Sequence, residues 1–198
     1  MRSTVSPPSP NLQPTLRGDT LELRPLAATD FEAVHAAASD PAIWALHPEP
    51  TRWQREVFRR FFDSGLACGG ALVAVERASG GVVGSSRYYK YKWLADTREI
   101  TVGYTFLVKR LWGGAANHEM KALMLGHAFG VAGIAAPGGG FAHAAWFDVG
   151  VGNLRSRRAM EKLGGELLRE SPADPLAGTP ASVHYRITRS QWLQRLGQ

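Results

Sequence analysis

Two short stretches of the chain carry residues whose types and spacing could do chemistry. The first is Arg110, Leu111, Trp112, Gly113, Gly114, Ala115 and Ala116, a glycine-bearing turn that leads into a helical pattern. The first amides of a helix lack intrahelical acceptors and sit at the positive end of its dipole, so a glycine-lined approach lets a phosphate touch the backbone itself. A glycine pair before a helix serves equally as a plain tight turn. The second stretch, GNLRSRRAMEKLGG from Gly152 to Gly165, gathers Arg155, Arg157, Arg158 and Lys162 about a helix start that Asn153 is suited to cap, with Ser156 one turn in. It reads as another anion-facing helix start or as a capped surface helix with solvated arginines.

The elements that would position these stretches follow from hydrophobic period. Val102, Tyr104, Phe106 and Val108 alternate with Gly103, Thr105 and Leu107, which suits a buried strand, and Met120, Leu123, Met124 and Ala128 then recur at helical steps up to Phe129. Phe141 to Val149 predicts the strand before the second stretch, and Asn153 to Leu163 its helix. Strands over Glu166–Glu170 and Val183–Thr188 follow, with Trp192 on a short closing helix. Upstream, Leu21 and Leu23 mark a short strand closed by Pro25, Thr29 an N-cap for a helix reaching about Ser39, and Asp40 to Pro50 a proline-rich loop holding Trp44 and His47. A helix over Trp53–Ser64 and a hairpin of Ala71–Glu76 with Val82–Tyr88 complete the pattern. The order predicts one α/β domain over residues 16–198 with a mixed, partly parallel sheet flanked by helices. Met1 to Thr15, with Pro7, Pro8, Pro10 and Pro14 and almost no apolar mass, reads as a disordered or loosely attached tail.

Composition narrows the function classes. No apolar run approaches the roughly 20 residues that span a bilayer and the start has no signal-peptide core, so the cytoplasm is the expected compartment. The single Cys68 excludes an intramolecular disulfide and a cysteine metal cluster, and reads as a small buried residue. The six histidines lack metal-ligand spacing, so no metal is expected; His118, His127 and His143 read as packed or solvated in place. A net charge of +6 suits an anionic partner, whether nucleic acid, an anionic cofactor or solvent ions. The aromatic and basic run Arg87 to Trp93 fits a stacking surface for nucleic acid, the rim of a substrate pocket, or a strand with one solvated face.

Taken together, the strand–VKRLWGGAAN–helix and strand–GNLRSRRAMEKLGG segments resemble the two coenzyme-contacting segments of the GNAT acetyltransferase superfamily. Arg110 to Ala115 fits that family's pyrophosphate loop: Gln or Arg, two residues, Gly, one residue, Gly or Ala. TLELRPLAATDF, VVGSSRYY, GYTFLVKRLWGGAANHEMKALMLGHAF and NLRSRRAMEKLGG are similar to the branch that includes the ribosomal-protein N-terminal acetyltransferases, over about Leu16 to Leu196. The resemblance implies a GNAT fold with a splayed central sheet and acetyl-CoA (or CoA) as co-substrate. It further implies direct transfer to a small-molecule or peptide amine; a homodimer is a possible assembly, and no membrane partner is expected. It places the pantetheine along Phe106, Leu107 and Val108, with Phe141 to Val149 as the splayed neighbour. The pyrophosphate falls on Arg110, Leu111, Trp112, Gly113, Gly114, Ala115 and Ala116, with Asn153 and Arg157 also at the coenzyme. Ser156 is the implied acid for the leaving thiolate, because the tyrosine many members use is absent from this helix. Glu99 is the implied base, although relatives of the branch often carry the acid at the position of Thr101. Trp44, His47, Arg87, Tyr88 and Tyr104 are the candidate acceptor pocket. A catalytically degenerate coenzyme-binding sensor, and a nucleic-acid-binding module, are the alternatives.

Overall fold

The computed structural model describes residues 10–94, 97–176 and 179–197. Among these residues eight strands form one sheet: β1 (Leu16–Arg17), β2 (Leu21–Pro25), β3 (Ala71–Glu76), β4 (Val82–Leu94), β5 (Thr97–Leu107), β6 (Ala144–Gly150), β7 (Glu166–Ser171) and β8 (Ser182–Thr188). Their order is β1-β2-β3-β4-β5-β6-β8-β7, and among the described residues only the β5–β6 pair is parallel. Five α-helices among the described residues cover it: α1 (Phe31–Ala38), α2 (Arg55–Ala67), α3 (Ala116–Phe129), α4 (Leu154–Leu163) and α5 (Arg189–Leu196). The expected mixed α/β architecture, with its splayed sheet, is the one found.

Strand alternation separates two cores. On β3, Leu72 and Ala74 join the cluster under α3, α4 and α5, built on Ile100, Met120, Met124, Phe147, Met160 and Trp192. Ala71 and Val73 point the other way, into the aromatic cluster of α1 and α2 with Phe31, Phe58, Phe61, Phe62 and Trp44. Successive residues on one strand therefore hold helices on both faces, which fixes the sheet between them.

The sheet parts along its parallel pair. β5 and β6 are in register only over Glu99 to Thr101 opposite Ala144 to Trp146. Just beyond, Tyr104 and Thr105 of β5 together face the single residue Ser86 of β4, because the register steps from Arg87↔Gly103 to Ser85↔Phe106. Such a bulge bends its strand. Tyr104 takes a left-handed φ of 53°, which costs a side-chain-bearing residue about 1–2 kcal/mol. The Ser86 hydroxyl, 2.8 Å from Thr105 Oγ1 and 3.3 Å from the Gly103 carbonyl, braces the bend.

Several sequence expectations shift. β4 runs on to Leu94, so the Arg87 to Trp93 run lies inside a strand: Arg87 and Tyr88 are buried, Trp93 is exposed, and the run makes no continuous stacking surface. Thr29 sits within a 3₁₀ turn, Ala28–Asp30, and does not cap α1. Asp30 instead accepts from Nη1 and Nη2 of Arg24 at 2.8 and 2.7 Å and from the Ala27 amide at 2.8 Å. Cys68, expected to be buried, is exposed. Residues 1–9 of the expected loose tail lie outside the described residues. The remainder is attached: the Asn11 carbonyl is 2.8 Å from His127 Nε2, the Asn11 amide donates to Gly138, and Leu12 packs on the core. Among the described residues no helix is long and apolar enough to cross a membrane.

Candidate active site

A cleft of about 900 Å³ opens where β5 leaves β6. Its walls are the bulged half of β5, the end of β6, the starts of α3 and α4, and the loop from Ile43 to Pro48. Of the residues expected at the coenzyme, Phe106, Leu107, Leu111, Trp112, Gly113, Gly114 and Asn153 line it, as does Ser156. Val108, Arg110, Ala115, Ala116 and Arg157 are adjacent in the chain but do not line it.

The turn before α3 is built to leave backbone accessible. Gly113 has φ +76°, a conformation that favours glycine, and a Cβ at Gly114 would meet nothing nearer than the Leu111 carbonyl at 3.8 Å. No side chain caps α3 at Ala115. Trp112 is pinned by its Nε1–H to the Leu107 carbonyl at 2.9 Å, and the Arg155 guanidinium stacks 3.8 Å from its ring centroid while donating to Ile43 at 3.0 Å. Arg110 points away, bidentate to Glu76 at 2.7 and 2.8 Å. Arg110, and after it Ser79, hold the Glu76 carboxyl down to about 2. Arg110 thus fastens the loop to β3. At α4, Asn153 Oδ1 accepts the Ser156 amide at 3.1 Å and Arg157 Nη1 donates to the Val151 carbonyl at 3.3 Å, so both order the helix start.

On the α1–α2 side, Trp44, His47 and Tyr104 line the cleft. Trp44 Nε1–H donates to the Ala38 carbonyl at 2.8 Å. Burial, then the neighbouring Arg52 charge, pushes His47 down to about 4, so it is neutral at pH 7. Arg87 stands behind the wall: it donates to Ser64 Oγ and the Phe61 carbonyl, both at 3.1 Å, and stacks 4.0 Å from the Tyr104 ring centroid. Tyr88 is buried with its hydroxyl on the Met124 carbonyl, in the α3 core and outside the cleft. Glu99 lies at the closed end of the β5–β6 pair, opposite Lys92 and Ala144, and does not line the cleft. The expectation that it reaches the reacting amine therefore has no geometric support.

Sequence reading passed over Lys121, Asp148, Ser171 and His184, all of which line the cleft, and took His118, which also lines it, as merely packed or solvated; Tyr89 and Lys90, from the run read as a possible pocket rim, line it too. Lys121 is buried with Nζ 3.4 Å from Thr105 Oγ1, and burial lowers it to about 8. Asp148 does leave a trace in the sequence, as a lone carboxylate between the buried Phe147 and Val149. His184 leaves none, because Asp148 and Ser171, its shortest-range partners in space, come from other strands.

A sheet parted along its parallel pair, with a glycine turn and two helix starts at the gap, defines an α/β fold whose cleft suits a long, thin ligand with an anionic end. The chain belongs to the GNAT acetyltransferase family: the family model for the acetyltransferase (GNAT) domain matches residues 20–166. No curated protein matches its sequence. Among solved structures, a GCN5-related N-acetyltransferase from Brucella melitensis is 18% identical at a TM-score of 0.76, over 91% of this chain and 81% of that one. A GNAT-family acetyltransferase from Bacillus anthracis is 18% identical at a TM-score of 0.69, over 89% and 99%. A spermidine N-acetyltransferase from Vibrio cholerae, in complex with CoA and spermine, is 14% identical at a TM-score of 0.63, over 89% and 99%. At these identities the likeness is one of fold.

Proposed function

We propose that the chain is an acetyl-CoA-dependent N-acetyltransferase that delivers the acetyl group to a primary amine by direct attack. The observation that carries this reading is the continuity of one cleft from the glycine turn at α3 to the bulge at Tyr104. Backbone amides at Gly113, Gly114, Ala115 and Ala116 would hold the pyrophosphate. Phe106, Leu107 and Val108 would hold the pantetheine, since β5 has no ladder partner on its β6 side beyond Thr101. Asn153 and Arg157 would keep the α4 start in place beside it. The bound coenzyme supplies an activated acetyl thioester. Trp44, His47 and Tyr104 then form the apolar part of the acceptor wall, with Arg87 supporting Tyr104 from behind.

That GNAT relatives include an enzyme captured with spermine supports an amine acceptor. The resemblance to the ribosomal-protein branch favours a protein or peptide N-terminus among amines, and a cytoplasmic setting suits such a partner. Calorimetric titration with CoA, followed by thiol release over a panel of polyamines and peptide α-amines, tests the reading. Absence of binding at millimolar CoA would overturn it, and binding without turnover on any amine would favour a coenzyme sensor.

Ser156, which lines the cleft at the α4 start, would protonate the leaving thiolate. Ser156→Ala is expected to lower kcat by about 100-fold, the lower range for loss of a positioned acid, with CoA affinity unchanged. Glu99→Gln is expected to leave kcat within about twofold, since the residue is remote from the cleft; a loss approaching that of Ser156→Ala would restore Glu99 as the base.

A further inference from the structure

One wall of the cleft carries a hydrogen-bonded chain of side chains to which the acetyltransferase reading has so far given no role. Asp148 of β6 and His184 of β8 are direct cross-strand partners, so their side chains share a face. Asp148 Oδ1 lies 2.7 Å from His184 Nδ1, and its Oδ2 accepts from Lys90 Nζ at 3.0 Å and from the Tyr89 hydroxyl at 3.4 Å. His184 Nε2 lies 2.8 Å from Ser171 Oγ and 3.3 Å from Ser182 Oγ. An ionised Asp148 accepts from Nδ1–H, which leaves the Nε2 lone pair facing the hydroxyls. Carboxylate, imidazole and hydroxyl thus stand in series, and all of them line the cleft.

Their position is the vertex of the gap. Extending the parallel register from Thr101↔Trp146 by two residues sets Asp148 level with Gly103, one residue before the bulge at Tyr104. Tyr89 closes that point: its ring stands edge-on to Tyr104 at 5.1 Å, and a Cβ at Gly103 would lie only 3.0 Å from it. Burial alone would raise the Asp148 carboxyl, but hydrogen bonds from Lys90 and His184 outweigh it and hold the group below its usual range. The vertex therefore offers an imidazole lone pair, backed by a carboxylate already paired with Lys90, to an incoming ammonium group. A mere strand cross-link would need only the Asp148–His184 bond, with no hydroxyl relay opening onto the cleft.

We infer that His184, positioned by Asp148, is the general base of the transfer and takes the acceptor's proton through the hydroxyl of Ser171. This rests on the acetyltransferase reading above, and the acceptor class it fits is a primary aliphatic amine that arrives as an ammonium ion. The ammonium proton passes to Ser171 Oγ as the Ser171 proton passes to Nε2. The freed nitrogen lone pair forms the N–C bond to the acyl carbon, the C–S bond breaks, and a second proton from the nitrogen ends on the thiolate sulfur. His184 then returns its proton to solvent, so the sum is ammonium plus thioester to amide, thiol and one proton.

The test is kinetic, with CoA binding measured in parallel on wild type, His184→Gln, Ser171→Ala and Asp148→Asn. Charged or titratable groups around His184 are Asp148, Lys90 and Tyr89, with Arg186 two residues along β8 and Arg169 opposite on β7. The expected result is CoA affinity within about twofold in every variant and kcat down about 100-fold or more in His184→Gln. The residual rate of His184→Gln should recover as pH rises through the amine's own titration, and Asp148→Asn, which removes the group that orients the imidazole, should lower kcat with CoA affinity kept. Wild-type kcat and an unshifted pH profile in His184→Gln and Ser171→Ala, with CoA bound normally, would overturn the relay and leave the acetyltransferase reading intact. A wild-type chain that fails to bind CoA would overturn both. Should His184→Gln unfold, Ser171→Ala keeps the Asp148–His184 bond and decides the question by the same readouts.

Discussion

Replacing Gly114 by glutamate is expected to abolish coenzyme binding while the chain stays folded. The fold should tolerate the change: a Cβ at this position makes only an ordinary contact with the Leu111 carbonyl at 3.8 Å, and Gly114 does not share the left-handed φ of Gly113. What the glutamate adds is a carboxylate at the start of α3, where no side chain caps the helix and the amides would otherwise receive a pyrophosphate. Two like charges about 4 Å apart at an effective dielectric constant near 20 repel by roughly 4 kcal/mol, which corresponds to about a thousandfold in affinity. Calorimetry with CoA should find binding weakened by at least about 100-fold, and the thermal stabilisation that saturating CoA gives the wild type should vanish. Gly113→Ala is the contrasting variant. It strains a φ of +76° at a cost of about 1–2 kcal/mol in stability without placing charge in the site, so its coenzyme affinity should survive. If Gly114→Glu binds CoA as the wild type does, the anion is not held at this turn.

What the sequence made legible is what is encoded locally. The strand, the glycine turn and the long helix from Thr97 to Phe129 could be read because period, turn chemistry and helix start all lie within one stretch. The Asn153 cap of α4 is local in the same sense. Alternation along β5 was a poorer guide. It sets Glu99 on a face with Thr101 and Gly103, yet five residues at about 3.3 Å each put it some 16 Å before Tyr104, and the bulge there resets the alternation. Arg110 satisfies the motif by type, but Glu76, which is 34 residues away in the chain, claims its guanidinium. The Asp148–His184 pair spans 36 residues and exists only once β6 and β8 are in register. Pairings of that kind depend on sheet order, which no short window of residues contains.

Lys121→Met is expected to stabilise the chain at neutral pH, against the usual direction for a core substitution. The ammonium is buried beside the Phe147 ring, 5.6 Å from its centroid, and its hydrogen bond to Thr105 Oγ1 is long at 3.4 Å. Desolvation lowers its pKa from 10.5 to about 8. The folded state therefore binds the proton less readily than the unfolded state, and that difference destabilises the fold by about 3 kcal/mol wherever both states are charged. The sign follows directly. Below pH 8 the cost is fully present, between 8 and 10.5 it shrinks as the folded state holds a neutral amine, and above 10.5 it disappears. Methionine keeps the length of the side chain and removes the charge, so the variant should unfold about 5–10 °C higher at pH 7. The two proteins should converge as pH approaches 10.5. Thermal unfolding of both chains across pH 6 to 10.5 measures this, and a constant offset, or none, would mean that the ammonium is not held in a dry environment. Because Lys121 lines the cleft beside the bulge, the stabilised variant is also expected to turn over more slowly, as happens where a site retains a charge that folding alone would discard.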